Sequence, residues 1–222
     1  RQPSKMQQFL LRTSVLEEFD ANLCEEVIAK ALNITDQNWQ EVIEAIQRDN
    51  LFVLPVGDET LYLRYHQLFR DFLQTRMKAD YPEETLLIEK QLAAYYEFNR
   101  EWERAIAIYS RVGTVEQQVQ LVCKAASSMI VSGRLVTLSS WLDLLPPNLV
   151  DSKPELLSIR GSIAMLRGDF APSLDLLNKS IKLMDGTDLV EELGYALIRR
   201  SALNRHLGHY EDARRDALTA IE

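Results

Sequence analysis

The stretch L51-F-V-L-P-V-G-D-E-T-L-Y-L-R-Y-H-Q-L-F-R-D-F-L-Q-T-R-M77 decides the fold of the N-terminal part of this chain. Leu51 to Leu54 is a short apolar run of strand formers. Pro55 and the Gly57-Asp58 pair punctuate it, and Leu61-Tyr62-Leu63 returns, so the pattern predicts a small β-hairpin with strands near 51–54 and 60–64. Beyond it the period changes. Leu68, Phe69, Phe72, Leu73 and Met77 share one helical face, while Arg70, Asp71 and Gln74 share the other. One histidine, His66, stands at the junction of hairpin and helix.

Three helical patterns precede the hairpin. Gln7 to Leu16 places Phe9, Leu10 and Leu16 inward. Leu23, Val27, Ile28, Ala31 and Leu32 form the apolar face of a second helix, with Asp20 or Asn22 as its cap. Trp39, Val42, Ile43 and Ile46 follow at i, i+3, i+4 and i+7 in a third, for which Thr35 is the expected cap. Three helices, a hairpin and a further helix are the order of a winged-helix domain, assigned to residues 1–80.

Winged helices often read DNA, and charge argues against that use here. The third helix carries Asp36, Glu41, Glu44 and Asp49 against Arg48. Residues 1–80 hold nine Lys/Arg and thirteen Asp/Glu, a net of −4, and the whole chain of 222 residues is at −8. A recognition helix between phosphates needs the opposite sign. The same balance argues against an anionic membrane surface, and there is no run of 18 apolar residues. Cys24 and Cys123 both lie in apolar helical patterns and read as buried thiols of a reducing, cytoplasmic compartment.

From Tyr81-Pro82 onward nearly everything is helical, and a turn signature recurs. It is Arg100-Glu101-Trp102, Gly133-Arg134-Leu135, Gly168-Asp169-Phe170 and Gly208-His209-Tyr210, at offsets of 33, 35 and 40 residues. That is the period of helix-turn-helix solenoid units. Residues 81–222 are therefore expected to form an α-solenoid of tetratricopeptide-like helix pairs, making the chain mainly α. Gly161, Ala164, Ser173 and Ser180 fit close helix crossings, with the aromatic after each turn filling the gap between units. The chain begins without methionine and ends inside a helical pattern at Ala220-Ile221-Glu222, so it reads as a piece of a longer protein, its repeat domain truncated at the C-terminus.

The segments F9-L-L-R-T-S-V-L-E-E-F-D-A-N-L-C-E-E-V27 and N50 to M77, with R64-Y-H-x-L-F-x-x-F-L73, resemble MalT-like ATP-dependent regulators. These are large LuxR-type members of the STAND class of signal-transducing ATPases. W141-L-D-L-L-P146 is a further phrase of that family. The resemblance implies a winged helix that closes a nucleotide site rather than one that reads DNA. It implies that His66 contacts the ADP phosphates in the resting protein; Gln67 departs from the family, which often carries Asp there. It also implies helical repeats that bind an inducer or protein partner, an upstream nucleotide-binding domain in the same chain, ATP and ADP as cofactors of the parent, and self-association once activated.

No G-x-x-x-x-G-K-[ST] occurs anywhere, so the ATPase core lies outside this chain, which is expected to be non-catalytic and to hold no cofactor of its own. His206 and His209 flank Gly208 without a third ligand nearby, so no metal site is expected. On a helix-pair stack the first helices line a groove. Here that groove would draw on Tyr95, Asn99, Arg160, Arg199, Arg200 and Asn204, the three arginines being suited to an anionic partner. The alternative to a nucleotide-linked regulator is a freestanding tetratricopeptide adaptor for protein–protein contacts.

Overall fold

A computed structural model describes residues 4–49, 52–56 and 62–221. Leu51, Gly57, Asp58 and Leu61, on which the expected hairpin turn falls, lie outside the described residues. The chain divides into two compact units, Arg1–Thr114 and Val115–Glu222.

The first unit opens with α1 (Ser4–Thr13) and α2 (21–32), whose middle, Cys24–Ala29, is wound as a π-helix. Asp20 caps α2, accepting from the Leu23 N–H at 2.6 Å, and Asn33 ends it in the left-handed conformation. The third helix, α3 (Trp39–Arg48), starts later than its sequence suggests. Asn38, not Thr35, is its cap and accepts from the Glu41 N–H. Trp39 is thereby placed at the first turn, where its Nε1–H reaches Glu25 at 2.6 Å.

Strands β1 (Val53–Val56) and β2 (Tyr62–Tyr65) pair antiparallel, Val53 opposite Tyr65 and Pro55 opposite Leu63. Leu63 spends both backbone groups on Phe19, at 2.9 and 2.8 Å, so β2 is flanked on its far side. Its pairing with Pro55 therefore needs no N–H from β1, and a proline is tolerated on this edge strand. The core beneath is a chain of rings: Trp39, Phe9, Phe19, Tyr65 and Phe69 meet successively with centroids 5.0–6.1 Å apart.

The helix after the hairpin, α4 (Gln67–Asp80), is rotated from its expected orientation. Leu73 and Met77 are buried, but Leu68 is 75% and Phe72 55% exposed. Arg70 and Gln74 turn inward instead, where both donate to the Ser14 carbonyl, the stronger bond from Gln74 at 2.7 Å. A polar anchor has displaced the apolar stripe.

Helices α5 (Pro82–Phe98) and α6 (Trp102–Val112) complete this unit. They are held to its N-terminal half by Arg12 on Glu84, Gln91 on the Glu26 carbonyl and Arg104 on Glu17. Pro82 occupies the first helical position, where its missing N–H costs nothing.

The second unit is a run of helices: α7 (Val115–Val131), α8 (Leu135–Leu144), the short α9 (Pro147–Ser152), α10 (Pro154–Arg167), α11 (Phe170–Met184), α12 (Val190–His206) and α13 (Tyr210–Thr219). Helices pair as α7/α8, α10/α11 and α12/α13, and α10 lies between α7 and α12. The fold is mainly helical, a winged helix with its hairpin followed by helical repeats.

The turns between paired helices repeat one conformation. Arg100, Gly133, Gly168 and Gly208 all have φ between 60 and 91°. The next residue's N–H bonds back five positions each time, Glu101 to Tyr96, Arg134 to Met129, Asp169 to Ala164 and His209 to Asn204, at 2.8–2.9 Å. This is the Schellman closure of a helix. Helix crossings repeat too. Ser173 Oγ donates to the Gly161 carbonyl and Ser201 Oγ to that of Ala213, both at 2.7 Å and both across twelve residues. A Cβ on Gly161 would stand 2.8 Å from Leu177 Cγ, so only glycine fits that crossing. The aromatic after the turn does less than its position suggests. Trp102 is buried, whereas Phe170 stacks on His206 and stays 38% exposed, and Tyr210 is exposed.

Candidate functional site

Two places in the fold carry features that ordinary packing does not require. The first is the corner between hairpin and α4. His66 caps α4 in an extended conformation, and its side chain makes no capping hydrogen bond. Its backbone is fixed on both sides. The N–H donates to the Phe52 carbonyl at 2.8 Å, and its own carbonyl accepts from Phe69 and Arg70. The imidazole is exposed at the end of a 14-residue helix, where free N–H groups and the dipole favour an anion. The hairpin and α4 also carry exposed apolar side chains, Phe52, Leu54, Leu68 and Phe72, each more than half exposed, with Phe52 resting one face on the Phe69 ring at 5.0 Å.

The second place is in the repeats. The first helices α7, α10 and α12 line an open cavity of about 500 Å³, within the range of small-molecule pockets. Cys123 and Lys124 come from α7, Glu155 from α10, and Glu191, Tyr195 and Arg199 from α12 at i, i+4 and i+8. Arg199 donates from Nη1 to Ser158 Oγ at 2.7 Å and lies 5.9 Å over the Tyr195 ring. Burial holds its pKa below the usual arginine value, with the nearby Cys123 and Tyr195 opposing that shift. Burial pushes the Cys123 thiol up to about 12, helped by Glu155, which keeps it protonated and unreactive at neutral pH. Cys24 is buried as well and is shifted upward by the same cause.

The groove residues named from sequence are distributed rather than gathered. Arg199 lines the cavity just described. Arg160 lies on another side of α10, pairs with Asp151 at 3.1 Å and lines a separate cavity of about 340 Å³ with Asp143 and Arg167. Arg200 and Asn204 turn onto α13, where both bond to the buried Asp216. Tyr95 and Asn99 belong to the first unit, and there Asn99 Nδ2 bonds the Tyr95 carbonyl at the end of α5. Glu155 and Tyr195 are not among the groove residues expected from sequence, and Cys123 is marked there only as a buried thiol. For Tyr195 the signal was present, as the four-residue spacing Glu191, Tyr195, Arg199 sets one helical face on the groove.

Among the described residues no group of three or more His, Cys, Asp or Glu could hold a metal ion. Among them too, no helix is long and apolar enough to cross a membrane.

Comparison with known proteins agrees with the geometry of the first unit. The family model described as the MalT winged helix domain matches residues 1–85. The chain is 25% identical over 182 residues to the HTH-type transcriptional regulator MalT of Vibrio cholerae, covering 79% of this chain and 19% of that protein. It is 25% identical over 156 residues to MalT of Vibrio campbellii, covering 70% and 17%. It is also 24% identical over 188 residues to the serine/threonine-protein kinase PknK of Mycobacterium tuberculosis, covering 84% and 16%. The chain thus spans less than a fifth of the length of these relatives. No solved structure matches it. With its three helices, its hairpin and the helix behind it in the expected order, the N-terminal part of the chain is similar to the MalT winged helix domain.

Proposed function

We propose that this chain is the non-catalytic regulatory and sensor segment of a STAND-type ATP-dependent signalling protein of the MalT kind, working in the cytoplasm. The winged helix closes the nucleotide site of a domain upstream in the same chain. The helical repeats bind an inducer or a protein partner. Ligand on the repeats favours an open form, which exchanges ADP for ATP and self-associates.

The observation that carries the reading is His66. An exposed imidazole with no capping bond, held by its backbone at a helix N-terminus, suits an anionic group brought by another domain. The exposed Phe52, Leu54, Leu68 and Phe72 on the hairpin and α4 suit a covering protein surface. In the resting state the imidazole N–H donates to an ADP phosphate, and the amides of the first turn of α4 lie alongside. The relatives' names describe two kinds of output, a transcriptional regulator and a protein kinase. That favours a control module whose role does not depend on the output attached.

The test is nucleotide titration of the full-length parent with His66→Ala. Loss of one hydrogen bond to a charged group costs about 1.5–3 kcal/mol, about ten- to a hundredfold in ADP affinity. ATP affinity should change less, and basal output should rise because the resting state is weakened. Unchanged ADP affinity with unchanged basal output would reduce His66 to a corner residue and remove the nucleotide role.

A further inference from the structure

Arg199 is a part-buried cation on a lining that also holds Ile159, Tyr195, Lys124 and three glutamates. Its one hydrogen bond goes to the neutral Ser158 hydroxyl, and among the described residues no carboxylate comes within 4 Å of the guanidinium. Arg200, the next residue, shows the ordinary arrangement, with two bonds to Asp216. The guanidinium is part-buried, and its remaining donors are open to water or to an incoming anion.

The same cavity is lined by an anion that is also incompletely matched. Glu155 keeps Oε1 3.9 Å from Lys153 Nζ, while Oε2 is sealed from solvent and accepts no hydrogen bond. The terminal torsion of a glutamate is soft, so a modest turn of the carboxyl brings that oxygen onto a donor held in the cavity. Glu191 and Glu192, on the first turn of α12, add negative charge along the same lining. Lys124 adds a second cation, so charges of both signs line one space, and among the described residues no ion pair joins Arg199 to a glutamate.

The charge pattern discriminates among ligand classes. A phosphate or dicarboxylate would satisfy Arg199 but face three glutamates. A neutral sugar would leave the guanidinium without an anion. A molecule with one carboxylate and one ammonium satisfies both ends, and Tyr195 offers a ring beside the cationic one.

We propose that the cavity between α7, α10 and α12 binds a small zwitterion, an α-amino acid or a short peptide, whose carboxylate is taken by Arg199 and whose ammonium is taken by Glu155. The assignment rests on the sensor reading of the repeats and names the chemistry of what they sense. A volume of about 500 Å³ has room for either form.

The experiment is calorimetric titration of the chain with each of the twenty L-amino acids and with the alanyl dipeptides, which separates the free amino acid from the peptide. The N-acetylated and C-amidated forms of the tightest binder follow. Blocking either end should weaken binding at least tenfold. Arg199→Met should abolish the preference for acid over amide, and Glu155→Gln the preference for amine over N-acetyl. Circular dichroism melts establish that each variant is folded, and Glu155→Gln, which keeps size and shape, still tests the site if Arg199→Met unfolds. Absence of binding at millimolar ligand, equal binding of the blocked forms, or unchanged preferences in folded variants overturns the assignment. If the parent responds to an inducer while no amino acid or dipeptide binds the chain, the ligand class falls and the sensor reading stands. Zwitterion binding that leaves the parent's output unchanged upholds the site and overturns the sensor reading.

Discussion

Arg200 grips Asp216 with both prongs of its guanidinium, Nε at 2.8 Å and Nη2 at 2.7 Å, across the crossing of α12 and α13. Asn204 adds a longer bond to the same carboxylate, and Asp216 is only 4% exposed. A residue with the look of an anion receptor in sequence is thus already occupied. Removing the acid leaves the guanidinium with Asn178 alone. Breaking a fully buried pair costs about 3–5 kcal/mol, and Arg200 retains some contact with water, so Asp216→Ala should cost about 2–3 kcal/mol. Urea unfolding measures it. Arg215→Ala, which removes an exposed pair with Asp212, should change stability by about 0.5 kcal/mol or less. Equal effects from the two substitutions would show that the Asp216 cluster contributes nothing special.

Arg100 occupies the left-handed position that glycine holds at the three other repeat turns, with φ of 60° and the same backbone closure. A side chain with a Cβ is strained there by about 1–2 kcal/mol. Glycine removes that strain and returns part of it as unfolded-chain entropy. Arg100→Gly should therefore stabilise the chain by about 0.5–1 kcal/mol, read as a rise in the urea midpoint at constant slope. Arg100→Ala, which keeps the Cβ, should not.

The repeat turns were legible because one backbone conformation imposes one residue type, and Gly133, Gly168 and Gly208 advertise it at regular spacing. Arg100 was found only by its distance from them. The hairpin and the order of elements around it were legible for a similar reason, since the pattern changes period at a single point. The rotation of α4 was not. Periodicity sets Leu68 and Phe72 on the apolar face, but the carbonyl of Ser14, fifty-six residues before Arg70, draws in Arg70 and Gln74. The distribution of the groove arginines was hidden in the same way. Arg199 and Arg200 are neighbours in sequence, about 100° apart around α12, so one faces the cavity and the other faces α13.

The exposed face of α3 presents Gln40, Glu41, Glu44, Gln47 and Arg48, with Trp39, Ile43 and Ile46 turned to the core. A helix with that face meets phosphates with net repulsion. The chain should show no duplex DNA binding at physiological salt in a fluorescence anisotropy titration. Glu41→Lys with Glu44→Lys should introduce weak, salt-sensitive binding. Micromolar binding by the wild-type chain with a steep salt slope would mean that another surface carries the contact.

Tyr65 and Thr13 share a hydrogen bond of 2.6 Å inside the winged helix, and its direction can be assigned. The Thr13 hydroxyl has one proton and gives it to the Phe9 carbonyl at 2.7 Å. The phenol of Tyr65 is therefore the donor. Burial pushes the phenol well above its ordinary value of 10. In the folded chain the proton stays on at a pH where the unfolded chain has lost it. Stability from this group is fully present below pH 10 and is lost as pH rises beyond it toward the folded value, at about 1.4 kcal/mol per pH unit. Tyr65→Phe should cost about 1 kcal/mol at pH 7, the worth of one buried bond. Above pH 10 that cost should shrink and then reverse, because phenylalanine has no proton to lose. Unfolding of both chains between pH 8 and 11 compares them directly. A stability difference that stays constant across that range would place the phenol in contact with water and exclude it from the sealed core.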